Sequence, residues 1–147
     1  MQSIFDDTAY AALKIRLNQL NEDSKPEWGK MSVGQMVWHC QAPLNIMLQK
    51  VDYGLKSNWL AKLFFKKALY NDKPWRKGLP TVKSFKAKEN KDFNTEKEKL
   101  EALMVEAYSK KDEQELKPHP AFGYFTPQQW GQMQYKHLDH HFRQFGV

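Results

Sequence analysis

The segment Thr126-Pro-Gln-Gln-Trp-Gly-Gln-Met-Gln-Tyr-Lys-His-Leu-Asp-His-His-Phe-Arg-Gln-Phe145 decides the fold, because it predicts a long amphipathic helix. Thr126 is a typical helix N-cap, Pro127 suits the first helical position, and Gln129 completes a capping box. With a period of 3.6 residues, one stripe of this helix contains Trp130, Met133, His137, His141 and Gln144. The segment therefore predicts a packing helix that carries two histidines on one face.

The two histidines of this stripe have the spacing of metal ligands. His137 and His141 are four residues apart, so their imidazoles leave the same helix face with β-carbons roughly 6 Å apart. Two neutral imidazoles at that spacing can share one divalent metal ion. His140 lies roughly 100° further round the helix than His141 and does not easily join the pair. Gln144, one turn after the pair, is a candidate to contact a ligand or a substrate.

A third histidine falls on a second predicted helix, which begins near Ser32. Ser32 and Gln35 form another capping box, and apolar residues follow at helical spacing. His39 lies in the middle of that apolar stripe, where a buried polar ring needs a partner. That partner is either a backbone carbonyl, as for most core histidines, or a metal ion. Gln35, one turn earlier, is a candidate to reach a substrate, whereas Cys40 points about 100° away from His39 and is interpreted as a small core residue.

Two further amphipathic helices complete the predicted architecture. The first covers about residues 3–20, and the third begins near Thr95. Between helices two and three, a loop-rich insertion carries a short basic helix over residues 59–70. We interpret this short helix, capped by Asn58, as a lid over the core rather than as a membrane-surface helix. The pattern predicts an all-α four-helix bundle, one domain over residues 1–147, in which facing helices build a metal site.

Other residues with ligand chemistry have simpler interpretations. His119 precedes the last helix, and the histidine pair begins roughly 16 Å along that helix, so His119 is interpreted as a loop anchor. Glu101 and Glu106 belong to helix three and are interpreted as solvated surface charges. A fourth position left open for water would be typical of a catalytic metal site. The ligand set that we expect is His39, His137 and His141.

Composition limits the remaining functions. The chain has 147 residues and one cysteine, which excludes an internal disulfide framework. It has no signal-peptide pattern and no apolar segment of membrane-spanning length, so we expect a soluble cytoplasmic protein without a membrane partner. The net charge is +6, and residues 50–99 carry 14 basic and 6 acidic side chains. Because Trp59, Trp75 and Phe85 are interleaved there, a module that binds nucleic acid or another polyanion is an alternative function.

These residues resemble a known family. His39 and the motif His137-Leu-Asp-His-His141 are similar to the DinB/YfiT-like superfamily of metal-dependent enzymes. More narrowly, the chain resembles a DinB-like subfamily of unknown function. The segments that carry this resemblance are Trp28-Gly-Lys-Met-Ser-Val-Gly-Gln-Met-Val-Trp-His39, His119-Pro-Ala-Phe-Gly123, Gln129-Trp-Gly131 and His141-Phe-Arg-Gln-Phe-Gly146. The resemblance covers nearly the whole chain, and the insertion matches least.

The resemblance implies a four-helix bundle with one long crossover connection and the same three histidine ligands. Members of that superfamily bind nickel or zinc, often form dimers, and include thiol-dependent transferases and isomerases. We therefore expect a metal-dependent hydrolase or transferase that acts on a small molecule and forms a homodimer. A non-catalytic dimeric bundle, whose histidines bond one another or water, is a further alternative. The residues expected beside the metal ligands or the substrate are Gln35, His140 and Gln144.

Overall fold

The chain folds into helices joined by loops. A computed structural model describes residues 1–57 and 59–147. No β-strand occurs in these two ranges, which confirms the expected all-α class. The helices in the described ranges are α1 (Asp7–Gln19), α2 (Val33–Met47), α3 (Trp59–Phe65), α4 (Phe93–Tyr108) and α5 (Pro127–Gln144).

The two helices that carry the predicted ligands begin where the sequence indicates. The Ser32 hydroxyl accepts the Gln35 N–H at 3.2 Å, and the Gln35 side chain accepts the Ser32 N–H at 3.0 Å. Thr126 and Gln129 form the same reciprocal pair at the start of α5, where Pro127 is the first helical residue. Because both helix starts are fixed, the directions of the side chains along α2 and α5 are fixed with them.

The other two long helices begin at residues that differ from the predicted ones. α1 begins at Asp7 rather than near residue 3, because the preceding residues form a turn whose Ile4 N–H binds the Gly131 carbonyl of α5 at 3.0 Å. α4 is capped by Asp92, whose carboxylate accepts the Thr95 N–H at 2.8 Å. Hydrogen bonds from the Thr95 side chain and from this backbone N–H lower the pKa of Asp92. The helix therefore begins at Phe93, two residues before the predicted start near Thr95, since an aspartate three residues upstream of Thr95 accepts the N–H that defines the start.

The long helices pack pairwise around an apolar core. α2 lies against α4 and α5, and α1 lies against α5 and α4. Arg16 of α1 binds the Asp139 carboxylate of α5 at 2.9 Å and the Val147 carbonyl oxygen at 2.9 Å. Trp130, Phe125 and Phe142 are the largest fully buried side chains, and burial of each contributes roughly 1.5–3 kcal/mol. This packing holds the histidine face of α5 against α2.

α3 begins at the predicted residue but ends earlier, and its environment differs from the predicted one. It continues into a 3-10 turn, Lys66–Leu69, so helical structure covers most of the predicted range. However, the side chains of Trp59, Leu63 and Phe64 are 71%, 66% and 67% exposed, so the interpretation of α3 as a lid over the core was wrong. The expected cap, Asn58, lies outside the described residues.

Loop aromatics occupy the surface that a lid would have covered. Trp75 packs edge-on against the rings of His137 and His140, and Phe85 packs edge-on against His39. The insertion therefore covers the core through Trp75 and through Phe85, the last residue of a short 3-10 turn (Lys83–Phe85), rather than through α3. No helix within the described ranges is long and apolar enough to cross a membrane.

Candidate metal centre

Three buried imidazoles from α2 and α5 meet in the core. The ring centroids of His39, His137 and His141 are 5.0, 4.7 and 4.7 Å apart, pair by pair. One nitrogen of each ring lies within 4.8 Å of the others, a grouping that can hold a metal ion. All three side chains are 5–8% exposed. The structure thus brings together the three residues that the sequence singled out from two distant segments.

The His39 ring is oriented by the insertion. Its Nδ1 lies 2.9 Å from the carbonyl oxygen of Phe85. Since that oxygen can only accept, Nδ1 carries the proton and donates it, which leaves the lone pair of Nε2 available. A histidine that binds a metal commonly donates its other ring N–H to such an acceptor, which fixes the tautomer and the ring orientation.

The His141 ring is oriented by its own helix. Its Nδ1 lies 2.8 Å from Oε1 of Gln144, which accepts the ring proton and leaves Nε2 unprotonated. The Gln144 amide is fixed in turn, because its Nε2 donates to the Trp28 carbonyl oxygen at 2.6 Å. Gln144 therefore contacts a candidate ligand, whereas Gln35 uses its amide to cap α2 and to donate to the Glu89 carbonyl oxygen at 3.1 Å.

His137 has the least hydrogen-bonded ring of the three. Its Nε2 lies 3.1 Å from Nε2 of His39, and its buried Nδ1 has no hydrogen-bond partner among residues 1–57 and 59–147. Ligand nitrogens at 2.0–2.1 Å from a tetrahedral ion lie about 3.3–3.4 Å apart, close to the observed separation. A direct N–H···N bond between His137 and His39 also fits this distance. That hydrogen bond would involve only two of the rings, whereas a metal ion would also be bound by the unprotonated Nε2 of His141.

Burial keeps the cluster neutral. Loss of hydration lowers the pKa of His39, and the hydrogen bond to Phe85 opposes this shift only in part. Burial, followed by repulsion from the neighbouring imidazoles, holds the pKa of His137 well below its usual value. Burial and repulsion from His39 lower the pKa of His141 to about 3. Neutral imidazoles at pH 7 are the form in which histidine binds a metal, so protons do not compete for these nitrogens.

A cavity of about 350 Å³ adjoins the cluster. His141, His140, Gln144 and Gln35 lie along its wall, so a molecule in the cavity would reach the candidate metal site through His141. His140 is buried, with its ring edge-on to Trp28 at 5.9 Å and to the His141 ring at 5.1 Å. It lies beside the three-histidine group rather than within it, as the helix geometry predicted.

The insertion is fastened beside the cluster by Lys136. Its ammonium group donates to the Ala68 carbonyl oxygen at 2.7 Å, to the Asn71 carbonyl oxygen at 2.9 Å and to the Asn71 side chain at 2.7 Å. The Trp75 indole N–H also donates to the Ala68 carbonyl oxygen, at 2.8 Å. Trp75 is thereby positioned against His137, which shields one side of the cluster from water.

The weaker candidates lie away from the cluster. His119 is buried near the start of α5, where its Nδ1 accepts the N–H groups of Ala121 and Phe122 at 3.0 and 3.2 Å. Glu101 and Glu106 form surface ion pairs with lysines of other segments. Cys40 is a fully buried free thiol, and burial raises its pKa. None of these side chains belongs to the three-histidine group.

Sequence reasoning missed three residues around the site: Trp28, Trp75 and Phe85. Two of them contribute a backbone carbonyl, which no side-chain pattern reveals. The signal present in the sequence was the occurrence of isolated aromatic residues in polar, lysine-rich loops. Such residues need a surface to pack against, and here that surface is the face of the histidine cluster.

A family model described as "Protein of unknown function (DUF1569)" matches residues 4–146. The chain belongs to the DUF1569 family. This finding corrects the DinB/YfiT-like assignment, because the DUF1569 match gives no link to that superfamily. The assignment rested on histidine spacing and short motifs, and a spacing of four residues between histidines can occur on any helix with buried histidines. Searches of curated proteins and of solved structures gave no match.

Proposed function

We propose that this DUF1569 protein binds one divalent metal ion through His39, His137 and His141 and uses it to activate a small molecule in the adjoining cavity. The observation that carries this proposal is the hydrogen bonding of the rings. Two of the three imidazoles donate Nδ1–H to a fixed acceptor, which leaves each Nε2 available beside the third ring. All three are neutral at pH 7.

The donor set suggests both the ion and the type of reaction. Imidazole nitrogens suit zinc, copper, iron and nickel, and we propose zinc or nickel here. An ion held by three histidines supplies a Lewis acid that favours hydrolysis or group transfer. His140 and Gln144 line the cavity and would contact the bound molecule. We place the protein in the cytoplasm as part of the same proposal.

The wider architecture is also a proposal. We infer that α1, α2, α4 and α5 form a four-helix bundle, since α2 packs on α4 and α5 while α1 packs on the same two helices.

We also propose that the protein forms a homodimer. Sedimentation equilibrium at micromolar concentration would detect the dimer, and a monomer at all concentrations would refute this proposal.

Binding of nucleic acid is less well supported. Of the three aromatic residues interleaved with the lysines, Trp75 and Phe85 pack against the histidine rings and are not available to stack on bases. Only Trp59 of these three is exposed. A non-catalytic bundle is the function that would remain if the protein bound no metal.

The proposal is tested by metal content and zinc affinity. Protein purified without chelators should contain about one equivalent of zinc or nickel by elemental analysis, and the metal-free form should bind zinc at micromolar or lower concentration. His137→Gln should lose this binding. His140→Gln, a change of the same type three residues along α5, should retain it. Folded protein that binds no metal, or equal losses in the two variants, would refute the proposal.

A further inference from the structure

The cavity beside the histidine cluster has an apolar wall. Trp28, Met31, Leu79 and Phe85 contribute to it. The lining also contains Thr81, whose hydroxyl can donate a hydrogen bond. A cavity of about 350 Å³ is large enough for a small organic molecule rather than water alone. These walls favour a ligand with an aromatic or aliphatic body.

The mouth of the cavity is basic. Lys30 and Lys86 line it, and the ammonium group of Lys77 lies 4.4 Å above the Trp28 ring. No aspartate or glutamate lines this cavity, and none of the three lysines forms an ion pair with a carboxylate in the described part of the chain. A cationic ligand would therefore meet like charges without compensation.

The carboxylate next to the cavity wall on α5 is engaged elsewhere. Asp139 precedes His140 but binds Arg16 at 2.9 Å and Arg143 at 2.7 Å, on another side of α5. It does not neutralise the lysines at the mouth. The charged side chains that line the cavity are thus the cations Lys30 and Lys86, which give it a positive electrostatic potential.

We propose that the cavity binds a small organic anion. Its carboxylate or phosphate group lies at the mouth between Lys30 and Lys86, and its apolar body lies against Trp28 and Phe85. The opposite end of the molecule points toward His141. This assignment rests on the proposed function, because it makes the occupant of the cavity the substrate of the metal site.

The test compares an anion with its neutral analogue. The probes are 3-phenylpropionate and 3-phenylpropionamide, titrated into metal-free and into zinc-loaded protein while the amide NMR signals of Gly29 and Gly78 are followed. We expect saturable shifts with the acid and affinity at least about tenfold weaker with the amide, because a charged group in a partly enclosed basic mouth gains more than an exposed ion pair. The preference should decrease as salt is added.

Matched double variants identify the lysines. Lys30→Gln with Lys86→Gln should weaken binding of the acid about fivefold or more. Lys83→Gln with Lys88→Gln removes the same charge from neighbouring residues that do not line the cavity, and should change the affinity less than twofold. Equal binding of acid and amide, equal effects of the two double variants, or no saturable shift with the acid would overturn this proposal.

The two proposals fail in different ways. Protein that binds the acid selectively but takes up no zinc would refute the metal site and leave the anion site intact. Protein that takes up one zinc but does not distinguish acid from amide would refute the anion site alone.

Discussion

Gln144 fixes the imidazole of His141: its Oε1 accepts the Nδ1 proton at 2.8 Å. The Gln144 amide cannot turn over freely, because its Nε2 donates to the Trp28 carbonyl oxygen at 2.6 Å. The end of α5, the loop before α2 and the candidate metal site are thus joined through one side chain. Changes at this side chain should affect metal affinity before they affect the fold.

Gln144→Ala should weaken zinc binding about 10–100-fold, as is typical when the acceptor behind a ligand is removed. The helical circular dichroism should be unchanged. Gln128→Ala, on the exposed side of the same helix, is the control and should leave the zinc affinity unchanged. Affinity is measured by competition with a chelator of known zinc affinity. Equal affinities for the two variants would show that Gln144 does not orient the ring.

Gly29→Ala should also impair the candidate metal site, because Gly29 lies in the loop before α2 that contacts Gln144. Gly29 has φ +86°, and a β-carbon there would lie 2.5 Å from Nε2 of Gln144. The amide would have to move, so we expect about tenfold weaker zinc binding, together with about 1–2 kcal/mol of lost stability from the left-handed backbone.

Gly54→Ala provides the matched control for this change. Gly54 also has a positive φ, of +64°, but a β-carbon there would meet no atom within 4 Å. It should lose comparable stability in urea denaturation and retain the wild-type zinc affinity. A Gly29→Ala protein whose zinc affinity equals that of Gly54→Ala would contradict the prediction.

The pH dependence of zinc binding should be shallow. Three histidines with the ordinary pKa of about 6.5 would lose about 50-fold in affinity between pH 7.5 and pH 6.0, because protons occupy the nitrogens. Here burial lowers the pKa of each of the three, to about 3 for His141. We therefore expect at most about a threefold loss, measured by chelator competition at each pH. A loss near 50-fold would mean that the rings are hydrated and titrate normally.

The stability of the fold should decrease in mild acid partly through His119. Burial lowers the pKa of its ring to about 4, so from pH 6.5 down to pH 4 the unfolded chain binds a proton that the folded chain excludes. The contribution of His119 is fully present above pH 6.5 and is lost as the pH falls through this window. Because each tenfold difference in proton affinity corresponds to about 1.4 kcal/mol, the loss amounts to at most about 3.5 kcal/mol.

His119→Asn isolates this contribution. The asparagine oxygen can accept the N–H groups of Ala121 and Phe122 in place of Nδ1, but it binds no proton in this range. Urea denaturation of metal-free protein at pH 6.5, 5.5 and 4.5 should therefore give a shallower decrease for the variant. Parallel curves for the two proteins would show that His119 does not titrate in the window.

Sequence reasoning located the parts of the site that depend on one helix. The stripe on α5, the capping boxes and the spacing of His137 and His141 are local, so helix periodicity was enough to predict them. To predict that His39 lies opposite this pair, it was enough to assume that two amphipathic helices pack through their apolar faces.

What sequence reasoning could not predict depends on contacts between distant residues. The Phe85 carbonyl reaches His39 across 46 positions, and the path of the irregular insertion decides that contact. The same path put Trp75 and Phe85, rather than α3, over the core. Helical structure over residues 59–69 agrees with most of the range predicted from the period, but a period does not reveal which neighbouring element packs on the apolar side of a helix.

The acceptor behind His39 belongs to a peptide group, so every residue type at position 85 supplies it. Replacing the phenyl ring would alter packing without deleting the oxygen that selects the tautomer. Shortening or lengthening the connection between α2 and α4 would move that oxygen away altogether. The capacity of this protein to coordinate an ion should therefore tolerate changes of composition in the connecting segment far better than changes in its length.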